Sequence, residues 1–114
     1  MELTVKKKLF DGKKEAIKHA IELGLWPIAQ LLEKEEKEEI HWHKWDTHIY
    51  VIAGRFVSID PDTNNKTVLE KGDYMLMPKR KLHAMNSSKD TIVVYATENP
   101  INFSKPVNLS AEEL

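Results

Sequence analysis

The sequence predicts an all-β domain, a small barrel or sandwich of short strands, with one short helix near its N-terminus. Residues 55–59 and 66–69 are strand-like and flank the turn-forming residues 60–65, which predicts a hairpin. Residues 91–96 read Thr-Ile-Val-Val-Tyr-Ala, a run rich in β-branched side chains that favours a strand. Short strands separated by turns about every eight to twelve residues are typical of barrels and sandwiches.

The N-terminal part predicts a strand and then the helix. Residues 3–5 can form a short opening strand. The helix is expected to start at Asp11 or Gly12 and to stop at Gly24, because apolar residues recur there at helical spacing, namely Ile17, Ala20 and Ile21. His19 lies on the polar side of this helix, so we expect it at the surface. The next segment, residues 28–39, is ambiguous, because its strong helix propensity competes with a strand followed by a charged loop.

Histidines mark the most informative part of the chain. Three of the five histidines lie within residues 41–54, which read His-Trp-His-Lys-Trp-Asp-Thr-His-Ile-Tyr-Val-Ile-Ala-Gly. On a strand, alternate side chains share a face, so His41 and His43 can offer two imidazoles to one metal ion. The alternative is a solvent-facing pair without a metal. Downstream, Gly72-Asp73 makes a turn, residues 74–77 form a short apolar strand ended by a proline, and His83 follows.

Together these two segments resemble the two motifs of the cupin superfamily. The first motif reads Gly, five residues, HxH, three or four residues, Glu, six residues, Gly, and the matching residues here are His41, His43 and Gly54. The second reads Gly, five residues, Pro, one residue, Gly, two residues, His, three residues, Asn, and it is matched by Gly72, Pro78 and His83, with Asn86 one residue early. The resemblance covers about residues 28–98.

The chain departs from the family at the motif-one glutamate. Depending on the spacing, that position falls on Thr47 or His48, and no glutamate stands at either place. Arg80 also replaces the second glycine of motif two. We take His48 as a fourth ligand beside His41, His43 and His83, a set that favours iron or zinc, with nickel, copper and cobalt as alternatives.

The resemblance implies a single cupin-type, jelly-roll-like β-barrel. We assign residues 28–98 to the barrel, residues 1–27 to an N-terminal extension with the helix, and residues 99–114 to a C-terminal extension of the same domain. Within the barrel, residues 28–33 would be a strand and the charged run after them an exposed loop. The residues expected to line the interior and to contact a substrate are Tyr50, Ile52, Met75, Met77 and Tyr95, with ordinary core packing as the alternative.

Composition limits the classes of partner. A chain of 114 residues supports one domain with one core. Its formal net charge of −1 gives no electrostatic case for binding nucleic acid or an anionic membrane. No cysteine is present, which fits a reducing compartment, and no apolar run resembles a signal peptide or approaches the roughly 20 residues of a membrane span. We therefore expect a cytoplasmic protein.

Three classes of function follow from the resemblance. The first is a metal-dependent enzyme, a dioxygenase or an isomerase or lyase, that acts on a small organic molecule, either neutral or anionic. The second is a binding or sensing module that holds a small ligand without catalysis, and the third is a structural barrel with an empty site. Single-domain cupins are commonly dimers, so we also expect a homodimer with part of residues 1–33 at the contact.

Overall fold

Two five-stranded antiparallel sheets and one helix make up the computed structural model, which describes residues 3–114. The elements in chain order are β1 (Thr4–Lys6), α1 (Lys13–Glu22), β2 (Trp26–Leu32), β3 (Glu36–Trp42), β4 (Thr47–Ala53), β5 (Arg55–Ile59), β6 (Lys66–Glu70), β7 (Tyr74–Met77), β8 (His83–Ser87), β9 (Thr91–Thr97), β10 (Leu109–Ser110) and a 3-10 helix (Ala111–Glu113). The first sheet has the strand order β1-β7-β4-β9-β2, and the second has the order β10-β3-β8-β5-β6. The all-β prediction with one short N-terminal helix is confirmed.

The hydrophobic residues form two clusters, one on each face of the first sheet. The inner cluster joins the two sheets and consists of Ile49, Val51, Phe56, Leu69, Met75, Met77, Met85 and Val93. The other cluster packs α1 onto the opposite face of the first sheet and consists of Phe10, Ala16, Ala20, Tyr50, Tyr74, Val94 and Ala96. Because side chains alternate along a strand, β4 sends Ile49 and Val51 inward and Tyr50 outward. Both faces of β4 are therefore buried.

The first part of the ambiguous segment, residues 28–39, folds as a strand as expected. The prediction of a charged loop after that strand is wrong. Residues 28–32 belong to β2, which pairs with β9 along its whole length. Residues 36–39 belong to β3 and pair with β8, through Glu36 opposite Ser87, Lys37 opposite Asn86 and Glu38 opposite Met85. This part of β3 is mostly exposed, so backbone pairing rather than an apolar pattern makes it a strand.

Gly54 occupies the position of the closing glycine of the first motif, and its surroundings show why glycine is needed there. It connects β4 to β5 with a φ of 81°, in the left-handed region that glycine enters at little cost. A Cβ at this position would lie 2.7 Å from Thr91 Cα, at the start of β9. Both the backbone conformation and the close approach of β9 therefore require glycine here.

The segments on either side of residues 28–98 contribute strands to the two sheets. β1 pairs with β7 at one edge of the first sheet, and β10 pairs with β3 at one edge of the second. Helix α1 ends at Glu22, and Gly24 follows with a φ of 78°, as a C-terminal stop requires. Within residues 3–114, the helices lack the length and apolar character of a bilayer span.

Candidate metal centre

Three histidines meet at one end of the second sheet. His41 lies on β3 directly opposite His83 of β8, and His43 follows β3 immediately. The nitrogens that these three imidazoles could offer to a metal all lie within 4.8 Å of one another. The ring centroids of His41 and His83 are 4.2 Å apart, which is close packing for two imidazoles. The structure thus brings together three of the four histidines predicted as ligands.

Each of the three rings is fixed by a backbone carbonyl. The Nδ1–H groups of His41 and His83 donate to the carbonyl oxygens of Glu39 and Lys81, at 2.7 and 2.8 Å. The Nδ1–H of His43 donates to the carbonyl oxygen of Val107 at 2.9 Å. A carbonyl can only accept, so Nδ1 carries the proton in each ring and Nε2 keeps its lone pair. Such second contacts orient the ring and set the tautomer of histidines that ligate metals.

Burial keeps two of these imidazoles, His43 and His83, neutral. Desolvation lowers the pKa of His43 from 6.5 to about 4, against the opposing hydrogen bond to Val107, and the nearby His41 lowers it further. Desolvation also lowers the pKa of His83 from 6.5 to about 3, with the Lys81 carbonyl opposing and His41 and His43 adding to the effect. Neutral imidazole is the form that binds a metal. The donor set therefore fits a divalent transition metal at neutral pH, and imidazole suits iron, nickel, copper and zinc alike.

His48 lies elsewhere, contrary to the expectation that it completes the ligand set. His48 is on β4 between Thr47 and Ile49, which face the three histidines. Because side chains alternate along a strand, His48 points to the opposite face. Its Nδ1 lies 2.6 Å from the hydroxyl oxygen of Tyr74, in the layer beneath α1. The shorter of the two motif spacings is therefore the relevant one, and Thr47 stands where the family has glutamate.

The three histidines line a cavity of about 370 Å³ between the two sheets. This volume is within the range of small-molecule sites, which is roughly 300–1,000 Å³. Its other described lining residues are mostly apolar and are Ile28, Gln30, Glu38, Trp45, Thr47, Ile49, Phe56, Met75, Met77, Met85, Tyr95, Ile101, Phe103, Val107 and Asn108. Met75, Met77 and Tyr95 thus lie at the cavity, as the sequence predicted. Tyr50 and Ile52 do not, because the alternation of β4 turns them toward α1.

Polar groups at the cavity that were not predicted as site residues include Thr47 and Glu38. Thr47 Oγ1 is buried and has no hydrogen-bond partner among the residues that the structure describes. Glu38 also lines the cavity, and its Oε2 lies 3.5 Å from His41 Nε2. Glu38 was missed because its segment was predicted to be an exposed loop. The motif spacing offered Thr47 as one of two candidates for the glutamate position, but His48 was chosen as the ligand.

The C-terminal strap, residues 101–110, covers one side of the cavity. Its lining residues are Ile101, Phe103, Val107 and Asn108. The strap is held to β3 by the pairing of β10 and by the indole Nε1–H of Trp42, which donates to the Ser110 carbonyl oxygen at 2.8 Å. Trp42 is buried outside the cavity, with the guanidinium of Arg80 5.6 Å from its ring. A segment expected to be only an extension thus contributes to the wall and to the support of His43.

A second histidine cluster, which we call the outer cluster, lies beneath α1. It contains His19, His48, Tyr50 and Tyr74. His19 is half-buried and its Nδ1 lies 2.8 Å from the hydroxyl oxygen of Tyr50, so the expectation of a surface histidine is wrong. Burial raises the pKa of Tyr50 far above its ordinary value, with Tyr74 adding to the effect. These side chains join the helix to the sheet.

The matching family model is that of the cupin domain, and it covers residues 29–97. The chain belongs to the cupin family. The comparison with curated proteins finds no match.

Solved structures with the same fold include proteins of different kinds. KdgF from Halomonas sp. is 20% identical with a TM-score of 0.57, over 68% of this cupin and 71% of that chain. An RmlC-like cupin from Shewanella frigidimarina is 19% identical with a TM-score of 0.54, over 79% of this cupin and 70% of that chain. Salicylate 1,2-dioxygenase from Pseudoaminobacter salicylatoxidans, in complex with gentisate, is 16% identical with a TM-score of 0.56, over 66% of this cupin. The aligned part is only 20% of the dioxygenase chain, and at these identities the likeness shows the fold alone.

Proposed function

We propose that this cupin is a metal-dependent enzyme that acts on a small organic molecule bound beside His41, His43 and His83. The observation that carries the proposal is the arrangement of the three imidazoles. Each has its Nδ1 proton held by a backbone carbonyl, and their metal-binding nitrogens converge at the wall of a cavity. Histidines that ligate metals typically donate their other ring N–H to a carbonyl or carboxylate in this way.

The metal that we propose is iron(II) or zinc, with nickel, copper and cobalt as alternatives. An ion held by neutral imidazoles keeps its double positive charge and acts as a Lewis acid toward an oxygen atom of a substrate. This supports an oxygenase, or an isomerase or lyase whose substrate carries an enol or carboxylate group.

The walls of the cavity suit a molecule with an apolar body. No lysine or arginine is among the described residues that line it, so the side chains themselves offer no cation to an anionic substrate. Methionines at positions 75, 77 and 85 supply a soft wall that adapts to irregular shapes. Burial raises the pKa of Tyr95, with Glu38 and Glu36 adding to the effect, so its hydroxyl stays protonated and can donate a hydrogen bond. The metal would therefore supply the positive charge that the described lining residues do not offer to an anionic group.

The relatives support this proposal without fixing the reaction. One solved structure with this fold is a dioxygenase in complex with gentisate, an aromatic acid. That protein shares only the fold with this chain, so the comparison suggests a class of assay rather than a substrate.

The test is metal analysis followed by a search for turnover. Purified protein is stripped with a chelator, reconstituted separately with Fe²⁺ and Zn²⁺, and analysed for bound metal. Oxygen uptake and product formation are then measured with candidate enols, thiols and hydroxylated aromatic acids. We expect stoichiometric metal and metal-dependent turnover of at least one class. The control is His43→Ala/His83→Ala, and wild-type protein that retains no transition metal would refute the proposal.

A binding or sensing role is the second candidate function. It is favoured by the scarcity of acid–base groups, because Glu38 and Tyr95 are the only ionisable residues besides the histidines in the described lining. In that case, metal-loaded protein should gain thermal stability with a ligand while the ligand is recovered unchanged. Consumption of the ligand would decide for the enzyme.

We also propose that the protein is a homodimer that uses part of residues 1–33. Strand β2 is an edge strand, paired only with β9, and edges of this kind invite pairing with another chain. Apolar side chains are exposed around it, namely Ile21, Leu23, Trp26 and Leu31. Light scattering over a range of concentrations should give the mass of a dimer, and Leu31→Lys should shift it toward the monomer. A constant monomer mass for the wild type would contradict the proposal.

A further inference from the structure

The metal centre lacks a carboxylate at the position where the cupin motif has one. Thr47 occupies that position, and its hydroxyl is neutral and cannot offset the charge of a divalent ion. Among the described residues, the only carboxylate that lines the cavity is Glu38, on a different strand and upstream of the first histidine.

A β-bulge brings Glu38 to the face of the histidines. Residues three apart on a regular strand point to opposite faces, so Glu38 and His41 would ordinarily be separated. On β3, however, Glu38 pairs with Met85 and His41 pairs with His83, so three steps on β3 match two steps on β8. The extra residue lies between Glu38 and His41, where the register shifts. Bulges of this kind re-aim side chains next to functional sites.

The carboxylate of Glu38 is held at the site by the C-terminal strap and lies beside His41. Glu38 Oε2 lies 3.5 Å from His41 Nε2, the nitrogen whose lone pair is free for a metal. The side-chain amide of Asn108, in the C-terminal strap, donates from Nδ2 to the same oxygen at 3.1 Å. The Glu38 side chain is 38% exposed, so it also has room to rotate about its own bonds. This strand and the strap therefore position a negative charge beside one of the three imidazoles.

The distance between these two atoms fits ligands of one ion. Bonds from zinc to imidazole nitrogen and to carboxylate oxygen are about 2.0–2.2 Å, so two ligand atoms at a tetrahedral ion lie roughly 3.4 Å apart. The hydrogen bond from Asn108 leaves the other oxygen, Oε1, without a competing donor in the described contacts. The atoms that lie within 4.8 Å of one another belong to the three histidines alone, so Glu38 would reach the ion by rotating about its side-chain bonds from its position beside His41.

We infer that Glu38 is the fourth ligand of the metal centre and supplies, from the preceding strand, the carboxylate that the motif lacks at Thr47. This inference rests on the proposed function, in which the three histidines bind the metal. A His₃–carboxylate set lowers the net charge of the centre by one unit. It also adds a hard oxygen donor, which improves the binding of manganese and iron relative to an all-imidazole set.

The test compares Glu38→Gln with Glu39→Gln. Glu39 is the next residue on the same strand, is exposed and is not among the cavity residues, and its backbone carbonyl to His41 is unaffected by the change. Apo proteins are titrated with Co²⁺ and Zn²⁺ by calorimetry, and the visible spectrum of the cobalt form is recorded. Thermal unfolding of the apo forms checks that both variants fold.

We expect Glu38→Gln to weaken metal binding at least tenfold and to change the intensity and position of the cobalt bands, whereas Glu39→Gln matches the wild type. Equal affinity and an equal spectrum in Glu38→Gln would overturn the assignment, while metal binding by the wild type would leave the proposed function intact. If the wild type binds neither ion, the three-histidine centre itself fails, and the inference fails with it.

Discussion

Two groups of histidines in this small cupin differ in the partner of their Nδ1 atoms. At the candidate metal centre, His41, His43 and His83 each donate to a backbone carbonyl, which can only accept. In the outer cluster, His19 and His48 each meet a tyrosine hydroxyl, which can donate or accept. The first arrangement fixes the tautomer and frees Nε2, and the second does not. The backbone carbonyls thus determine which histidines have Nε2 free to bind a ligand.

The largest expected effect separates the two groups by metal content. His43→Ala/His83→Ala should abolish metal binding and leave the fold largely intact, because the barrel has its own apolar core. The matched control, His19→Ala/His48→Ala, should keep stoichiometric metal. Elemental analysis after reconstitution gives the content, and circular dichroism checks the fold.

The single variant His48→Ala tests most directly whether His48 is a metal ligand. Because His48 faces α1, we expect unchanged metal affinity and an unchanged cobalt spectrum. A loss of metal from this variant would return His48 to the ligand set and would mean that β4 rotates when the ion binds.

The next effect concerns the acid sensitivity of the metal-free protein. The pKa values of His43 and His83 are about 4 and about 3 in the folded state, below the ordinary 6.5. Between these limits the unfolded chain binds more protons, so the free energy of unfolding falls as pH decreases from 6.5 and levels off below about 3. The two lowered pKa values set an upper bound of roughly 8 kcal/mol on the total loss.

Urea unfolding of chelator-treated protein at pH 7, 6 and 5 measures this slope. Asp73 does not titrate in this range, because its pKa is lowered from 3.8. In Asp73, hydrogen bonds from Glu70, Lys7 and Lys8 outweigh the opposing effect of burial. His43→Gln/His83→Gln should make the slope shallower without removing it, because burial also lowers the pKa of His48 from 6.5. A slope as steep as that of the wild type would contradict the explanation.

A smaller effect is expected in the outer cluster. Tyr50→Phe removes the hydroxyl that contacts His19 and joins α1 to the sheet. It should lower the free energy of unfolding by about 1 kcal/mol, the usual net value of such a hydrogen bond. Calorimetric metal affinity should not change, since Tyr50 does not line the cavity. A weaker affinity would show that the two groups are coupled through β4.

The smallest effect on stability is expected at Thr47. Its hydroxyl is buried without a partner in the described part of the chain, as is that of Ser87, which does not line the cavity. Replacing an unpaired hydroxyl by an apolar group is close to neutral or stabilising. Thr47→Val and Ser87→Ala should therefore leave apo stability unchanged or slightly raised. Only Thr47→Val should alter ligand binding, and identical ligand affinities for both variants would remove Thr47 from the site.

The predictable parts of the fold were those with local signals. Residues 55–59 form β5 as expected, because a dense turn sequence follows a short apolar strand. The convergence of His41, His43 and His83 followed from side-chain alternation and the spacing of two motifs. The β5 strand and each of the two histidine motifs can be recognised within a short stretch of sequence.

The orientations of the β4 side chains and of Glu38 depended on packing between elements, which sequence patterns do not reveal. Helix α1 covers the outer face of β4, so both faces are apolar and the pattern could not tell Thr47 from His48 or Tyr50 from Ile49. Glu38 was missed because its strand has exposed, charged side chains and because a bulge, visible only in the pairing with β8, turns it inward.

The contact between His43 and Val107 has a consequence for the order of events during synthesis. All three histidines and all strands from β1 to β9 precede the C-terminal strap in the chain, so they leave the ribosome before it does. Domains can begin to fold as they emerge. The barrel can therefore close while His43 still lacks the carbonyl that fixes its tautomer. We expect high-affinity metal uptake to begin only after the strap has emerged, so that the mature centre is acquired late and a nascent barrel carries a weaker one.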